Sequence, residues 1–227
     1  QRRRSAGGRG FYEYYGRTGT GLTGTNSQFA AIIAARFFAI SVMNDIIQFL
    51  QQRNSAPKLT APAPSLAERE SIFSAAMRAP DHARLRPWRF ISVDEDRRQA
   101  LGVLFRDALL ARNPQADESA LEKAEKSPLR APLIVVVVAS VSAHPKVPPI
   151  EQKLSAGCAA HGVLLAAQAL GYAGVWRTGD AAFDRNVMDG LGLANNEEIT
   201  GFLYLGTREG DPKPLPSLAT TDFVSQW

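Results

Sequence analysis

Residues 155–178, SAGCAAHGVLLAAQALGYAGVWRT, constrain the fold more than any other part of the chain. They open as a run of Ala, Gly and Leu in which His161 and Gln168 are the only strongly polar members. A helix that is apolar on every side has to be covered on every side, so this one belongs at the centre of a domain or of a dimer. Gly171 ends it, as a glycine past the last helical turn commonly does. The extended Gly-Val-Trp-Arg-Thr-Gly that follows sets an aromatic ring, a cation and a hydroxyl side by side at Trp176, Arg177 and Thr178. Such an edge beside a buried helix suits a flat, partly anionic ligand.

The chain has 227 residues, 45% of them apolar and 21% charged, enough for one domain with a real core. Its one cysteine, Cys158, excludes an internal disulfide and argues for a reducing compartment, hence a cytoplasmic protein. The pI of 9.4 would suggest a nucleic-acid partner. The basic excess is local, however. Residues 1–42 hold six arginines and one acid, a surplus of five charges; with +4 overall, residues 43–227 carry −1. Only the tail is basic, and nucleic acid is not expected as the main partner. Residues 1–42 are expected to be disordered or an upstream extension, with Met43 the natural start. The apolar stretch 29–42 is too short to span a bilayer.

From Met43 the pattern predicts a helix to about Gln52, then a proline-punctuated loop. Ser65 and Glu68 form a capping box that opens a helix closed by Pro80. Strands are predicted at 89–93, 133–139 and 199–206, the second buried on both faces because it is continuously β-branched. Helices are predicted from Asp94, over 117–126, from about Ile150 to Gly171, and over 182–191. No phosphate-binding loop, dinucleotide fingerprint or nucleophile elbow is present, and His82, His144 and His161 lack metal-ligand spacing. Cys158 and His161 stand on one helix face; apolar surroundings would raise the thiol pKa, so they read as a packed core pair rather than a nucleophile.

Three clusters carry chemistry: Arg53/Asn54/Ser55, Arg78/His82 and Trp176/Arg177/Thr178. Each follows a helix end or strand edge and contains a cation, as a phosphate-bearing ring ligand requires. On composition alone, arginines solvated at the surface or salt-bridged to Glu and Asp are the favoured explanation.

The segments AMRAPDHARLRPWRFISV, RAPLIVVVVAS, HPKVPPIEQKLSAGC, GYAGVWRTG and GFLYLGT, in that order, resemble the nitroreductase superfamily. The likeness is greatest to its compact bacterial NAD(P)H nitroreductase branch and covers residues 43–227. It implies an α+β fold, a central mixed sheet flanked by helices, in an intertwined homodimer with FMN at the subunit interface. Arg53, Asn54 and Ser55 would reach FMN from one subunit, and Arg78 and His82 from the other. Asn54 and Pro57 depart from the usual motif there. Trp176, Arg177 and Thr178 match the family's Trp-Arg-Ser. The segment Ala166, Ala167, Gln168, Ala169, Leu170 and Gly171 matches one associated with NAD(P)H. Residues 221–227 would reach onto the partner. The resemblance implies hydride transfer from NAD(P)H through FMN to a nitroaromatic, quinone or related acceptor, with no acid–base side chain and no metal. The alternatives are other flavin chemistry on the same fold, and a non-catalytic flavin-binding dimer whose basic tail touches nucleic acid.

Overall fold

The computed structural model describes residues 45–227; the expectations for residues 1–42 and for the start at Met43 lie outside them. The chain divides between Phe49 and Leu50 into two compact units. Of the first, the described residues 45–49 are helical, in a turn that runs on to residue 51. The second holds every other element: β1 (Leu59–Thr60), α1 (Leu66–Ala76), β2 (Trp88–Asp94), α2 (Arg97–Arg112), α3 (Glu118–Lys126), β3 (Leu133–Ser140), α4 (Pro149–Ala169), β4 (Ala173–Arg177), α5 (Arg185–Gly190) and β5 (Glu197–Arg208).

The sheet runs β4–β5–β3–β2, with β1 pairing the far end of β5. Both β3 and β4 pair antiparallel with β5, so they run parallel to each other on either side of it, joined by α4. Beyond β4 a parallel bridge joins Ser55 to Gly174. The sheet is therefore mixed, and helices cover both faces. Every residue of β3 from Leu133 to Ala139 is buried. Alternate side chains serve opposite cores: Ile134, Val136 and Val138 pack with Leu101, Phe105 and Phe202, whereas Leu133, Val135 and Val137 pack with Ile72, Val163 and Leu203. The first core lies under α2, α3 and α5, the second under α1 and α4.

Local chemistry sets the helix limits. Ser65 and Glu68 make the predicted capping box: the Glu68 N–H donates to Ser65 Oγ and the Ser65 N–H to the Glu68 carboxylate. The helix expected from Asp94 begins later, at Arg97, because Asp94 is still paired with Leu133 and Glu95 turns the chain at φ +43. The helix expected over 182–191 is shorter, with Asp184 capping Arg185–Gly190 through the Asn186 N–H. At the end of α4, Gly171 adopts φ +85 and Tyr172 N–H donates to the Ala167 carbonyl, closing the last turn.

The central helix departs from the expectation in one respect. Gln152, Ser155, Ala156, Ala159, Ala160, Val163, Leu164 and Ala167 are buried within the chain. The opposite side is bare: Ile150 is 59% and Leu154 62% exposed, and Cys158 and His161 are exposed with them. Cys158 and His161 are thus not a core pair of the single chain. They lie on the half of α4 that the chain's own sheet cannot reach. After β5, residues 211–227 run along the surface with Phe223, Val224 and Trp227 exposed.

Candidate functional site

Arg53, Asn54 and Ser55 follow the helical turn that ends at residue 51, and the Ser55–Gly174 bridge with the Ala56 N–H···O=C Gly174 bond at 3.0 Å pins them to the edge of β4. They border two cavities that share Arg53 and Asn54. One, of about 380 Å³, adds Gln168, Gly171, Tyr172, Gly174 and Arg208. The other, of about 360 Å³, adds Ser55, Val175 and Lys213. Arg53 Nη1 lies 3.5 Å from Ser55 Oγ. Arg208 donates to the Asn54 carbonyl at 3.1 Å. Asn54 Nδ2 donates to the Lys213 carbonyl at 2.5 Å, so its amide holds the C-terminal segment against the crevice. Among the described residues no carboxylate pairs with Arg53, Arg208 or Lys213. Arg53 borders both cavities, Arg208 the first and Lys213 the second, so the adjoining cavities carry a surplus of positive charge. Tyr172 adds a phenol at its rim, donating at 3.0 Å to Glu68, and that bond raises the Tyr172 pKa so that the hydroxyl stays protonated.

Two members of the 166–171 segment, Gln168 and Gly171, line this crevice. Ala166 and Ala167 pack into the core beside α1, and Ala169 and Leu170 are exposed. Arg208, Lys213 and Tyr172 were not anticipated from the sequence. Arg208 is the last residue of β5 and Lys213 lies beyond it; the pairing of Arg208 with Leu59 of β1 and its bond to the Asn54 carbonyl bring that end of β5 beside residues 53–55.

Arg78 and His82 lie elsewhere. Arg78 lines a cavity of about 520 Å³ with Asp81, Arg84, Arg86 and Trp88. The loop is tightly wound, with Ala83, Arg84 and Arg86 at positive φ. The Asp81 carboxylate steadies it by accepting the Leu85 and Arg86 N–H groups at 3.0 and 2.9 Å. His82 Nδ1 meets Glu151 at 2.7 Å in the first turn of α4, and Ser155 Oγ bonds the Pro80 carbonyl. Glu151 and Gln168 are separated by about 25 Å along α4. The Arg78/His82 loop is thus anchored at one end of α4 and the Arg53 crevice at the other.

The third cluster splits by strand alternation. Trp176 belongs to the α4 side of β4. Its indole lies against Gly201, where an added Cβ would stand 2.1 Å from Nε1, and 3.9 Å from where a Cβ on Gly157 would be. The missing side chain of Gly201 makes the slot that holds the ring, and a Cβ on Gly157 would meet its far edge at ordinary contact distance. Arg177 has the parity of Ala173 and Val175 and points to the opposite core, with its guanidinium 5.3 Å from the Tyr204 ring centroid. It lines, with Thr178 and Gly179, a cavity of about 510 Å³ beneath α2 and α3. Burial, and next the charge of Arg130, lower its pKa. The Arg177 side chain is therefore not brought to the Arg53 crevice. No group of three or more His, Cys, Asp or Glu suited to a metal occurs among the described residues, and no helix among them is long and apolar enough to cross a membrane.

Comparison with known proteins is consistent throughout. The family model described as "Nitroreductase family" matches residues 50–207. "Putative NAD(P)H nitroreductase YdjA" of Escherichia coli (strain K12) is 39% identical over 163 residues, covering 72% of this chain and 88% of that protein. "Putative NAD(P)H nitroreductase" of Haemophilus influenzae is 38% identical over 183 residues, covering 80% and 98%. The fold is shared with a nitroreductase-like family protein from Bacillus cereus at TM-score 0.70, 19% identity and coverage of 80% and 95%. It is also shared with a nitroreductase with bound FMN from Bacteroides fragilis at 0.61, 20%, and 80% and 98%. With the family model spanning most of the domain and relatives of this identity matching nearly their whole length, the chain belongs to the nitroreductase family.

Proposed function

We propose that this protein is a homodimeric, FMN-dependent NAD(P)H oxidoreductase that reduces nitroaromatics, quinones or related small acceptors. The observation that carries this is the carboxylate-free crevice of Arg53, Arg208 and Lys213 beside a half-uncovered α4. The donor set fits a planar cofactor with a phosphate: cations for the phosphate, and backbone and hydroxyl donors along β4 for the ring edges. FMN, when bound, would supply the hydride chemistry that links NAD(P)H to the acceptor in ping-pong order.

This chain's residues bind and orient. Arg53, Arg208 and Lys213 supply the positive charge, Ser55 a hydroxyl, and Asn54 keeps the Lys213 segment in place. Trp176 borders the ring from β4, Thr178 just past β4 stays with Arg177 in the other cavity, and residues 166–171 meet the nicotinamide nucleotide through Gln168 and Gly171. Arg78 and His82 come from the second subunit: two α4 helices packed antiparallel about a two-fold axis would bring the first turn of one beside the last turn of the other. That arrangement buries Ile150, Leu154, Cys158 and His161, and residues 221–227 would extend onto the partner. The lone cysteine supports a reducing, cytoplasmic setting.

Purified protein is expected to be yellow, to oxidise NADPH or NADH in the presence of a nitroaromatic or quinone, and to give parallel double-reciprocal plots. Protein that stays flavin-free with added FMN, or that turns over neither acceptor, would overturn the proposal.

A further inference from the structure

The cavity beneath α2 and α3 is not part of the Arg53 crevice, and its chemistry is different. Its floor is apolar, built from Phe105, Leu109, Val187 and Phe202. At one side stands Arg177, whose Nε–H is buried without a hydrogen-bond partner. Among the described residues no carboxylate lies within ion-pair distance of it. Lys123 adds a second positive charge at the rim. The acid of the lining, Asp180, is already engaged by Arg112 at 3.3 Å, and Arg112 also meets Asp184 at 2.5 Å. A buried N–H donor left unmet beside a charged group is costly unless something pairs with it. Stacking on Tyr204 compensates only in part. At about 510 Å³ the space is within the range of small-molecule sites.

We infer that this cavity is a second binding site, separate from the flavin crevice, for a small organic anion with an apolar body, of which an aryl carboxylate is the simplest representative. The carboxylate meets Arg177 and Lys123, and the ring lies on Phe105, Leu109 and Phe202. An inorganic anion would satisfy the cations but leave the apolar floor bare, and a neutral aromatic would do the reverse.

The test is isothermal titration calorimetry of the purified, flavin-loaded protein with benzoate, benzamide and inorganic phosphate, with the flavin absorbance spectrum recorded in parallel. Benzoate is expected to bind saturably without shifting the flavin bands, and benzamide and phosphate at least about tenfold more weakly. R177M should abolish benzoate binding, and K123Q, a surface change that leaves the fold alone, should weaken it several-fold. No benzoate binding, equal binding of benzamide, or binding that persists in both variants would overturn the inference. So would a shifted flavin spectrum, because it would place benzoate against the flavin.

Discussion

Replacing Glu197 with Gln tests the electrostatics of the sheet directly. Glu197 begins β5 and is only 8% exposed. Arg89 of β2 reaches it across the intervening β3, donating from Nε to Oε1 at 2.9 Å and from Nη2 to Oε2 at 2.6 Å, and the Ala194 N–H donates to Oε2 at 3.0 Å. The pair ties the strand that follows the Arg78/His82 loop to β5, whose last residue, Arg208, lines the Arg53 crevice. Arg89 is the main reason that the Glu197 pKa falls from 4.5 to about 2. A fall of that size corresponds to at most about 3 kcal/mol. Because the Arg89 side chain is 40% exposed, water screens part of it, leaving about 1.5 kcal/mol. A carboxylate whose pKa is depressed in the folded state stabilises it fully above the unfolded value. The contribution disappears as pH falls through the folded value. The stability difference between wild type and E197Q should therefore be about 1.5 kcal/mol at neutral pH and shrink by that amount between pH 4.5 and about 2. Urea unfolding across that window measures it. A difference that stays flat to the lowest pH would refute the assignment of the pair as the source of the shift.

Three further outcomes follow from the same geometry. L154D puts a charge in the middle of the exposed α4 face and should cost at least about 3 kcal/mol of association per subunit, read as a shift toward the single chain in sedimentation. G201A forces a methyl group onto the Trp176 indole; it should destabilise by about 1–3 kcal/mol and shift the tryptophan emission, whereas unchanged emission would mean that the slot is looser than drawn. R53A should weaken FMN binding about 10- to 100-fold in a fluorescence-quenching titration, and equal affinity would remove Arg53 from the site.

The fold was largely legible because its strongest signals are local. The β-branched run at 133–139 allows little besides a strand covered on both sides, and the Ser65/Glu68 pair marks its helix start. The all-apolar character of α4 was legible too, but a pattern with no polar face cannot say which half its own sheet covers and which half is left exposed. That is why Cys158 and His161 read as core yet lie exposed. Nor does adjacency in sequence give direction: Trp176 and Arg177 are neighbours in a strand and hence face opposite cores. Arg208 and Lys213 carry no motif, and only the pairing of β1 with the end of β5 and the bonds to Asn54 bring them to residues 53–55. The tight turn at Ala83, Arg84 and Arg86 uses positive φ without glycine, so composition gives no sign of it.

The central claim is that two copies jointly hold the flavin. Analytical ultracentrifugation of the FMN-saturated protein, followed at protein and flavin wavelengths together, tests it most directly. All of the bound flavin absorbance should sediment with a species of twice the 24.6 kDa chain mass, at one flavin per chain. Flavin that travels with a single chain, or a protein that remains a single chain when saturated, would contradict it.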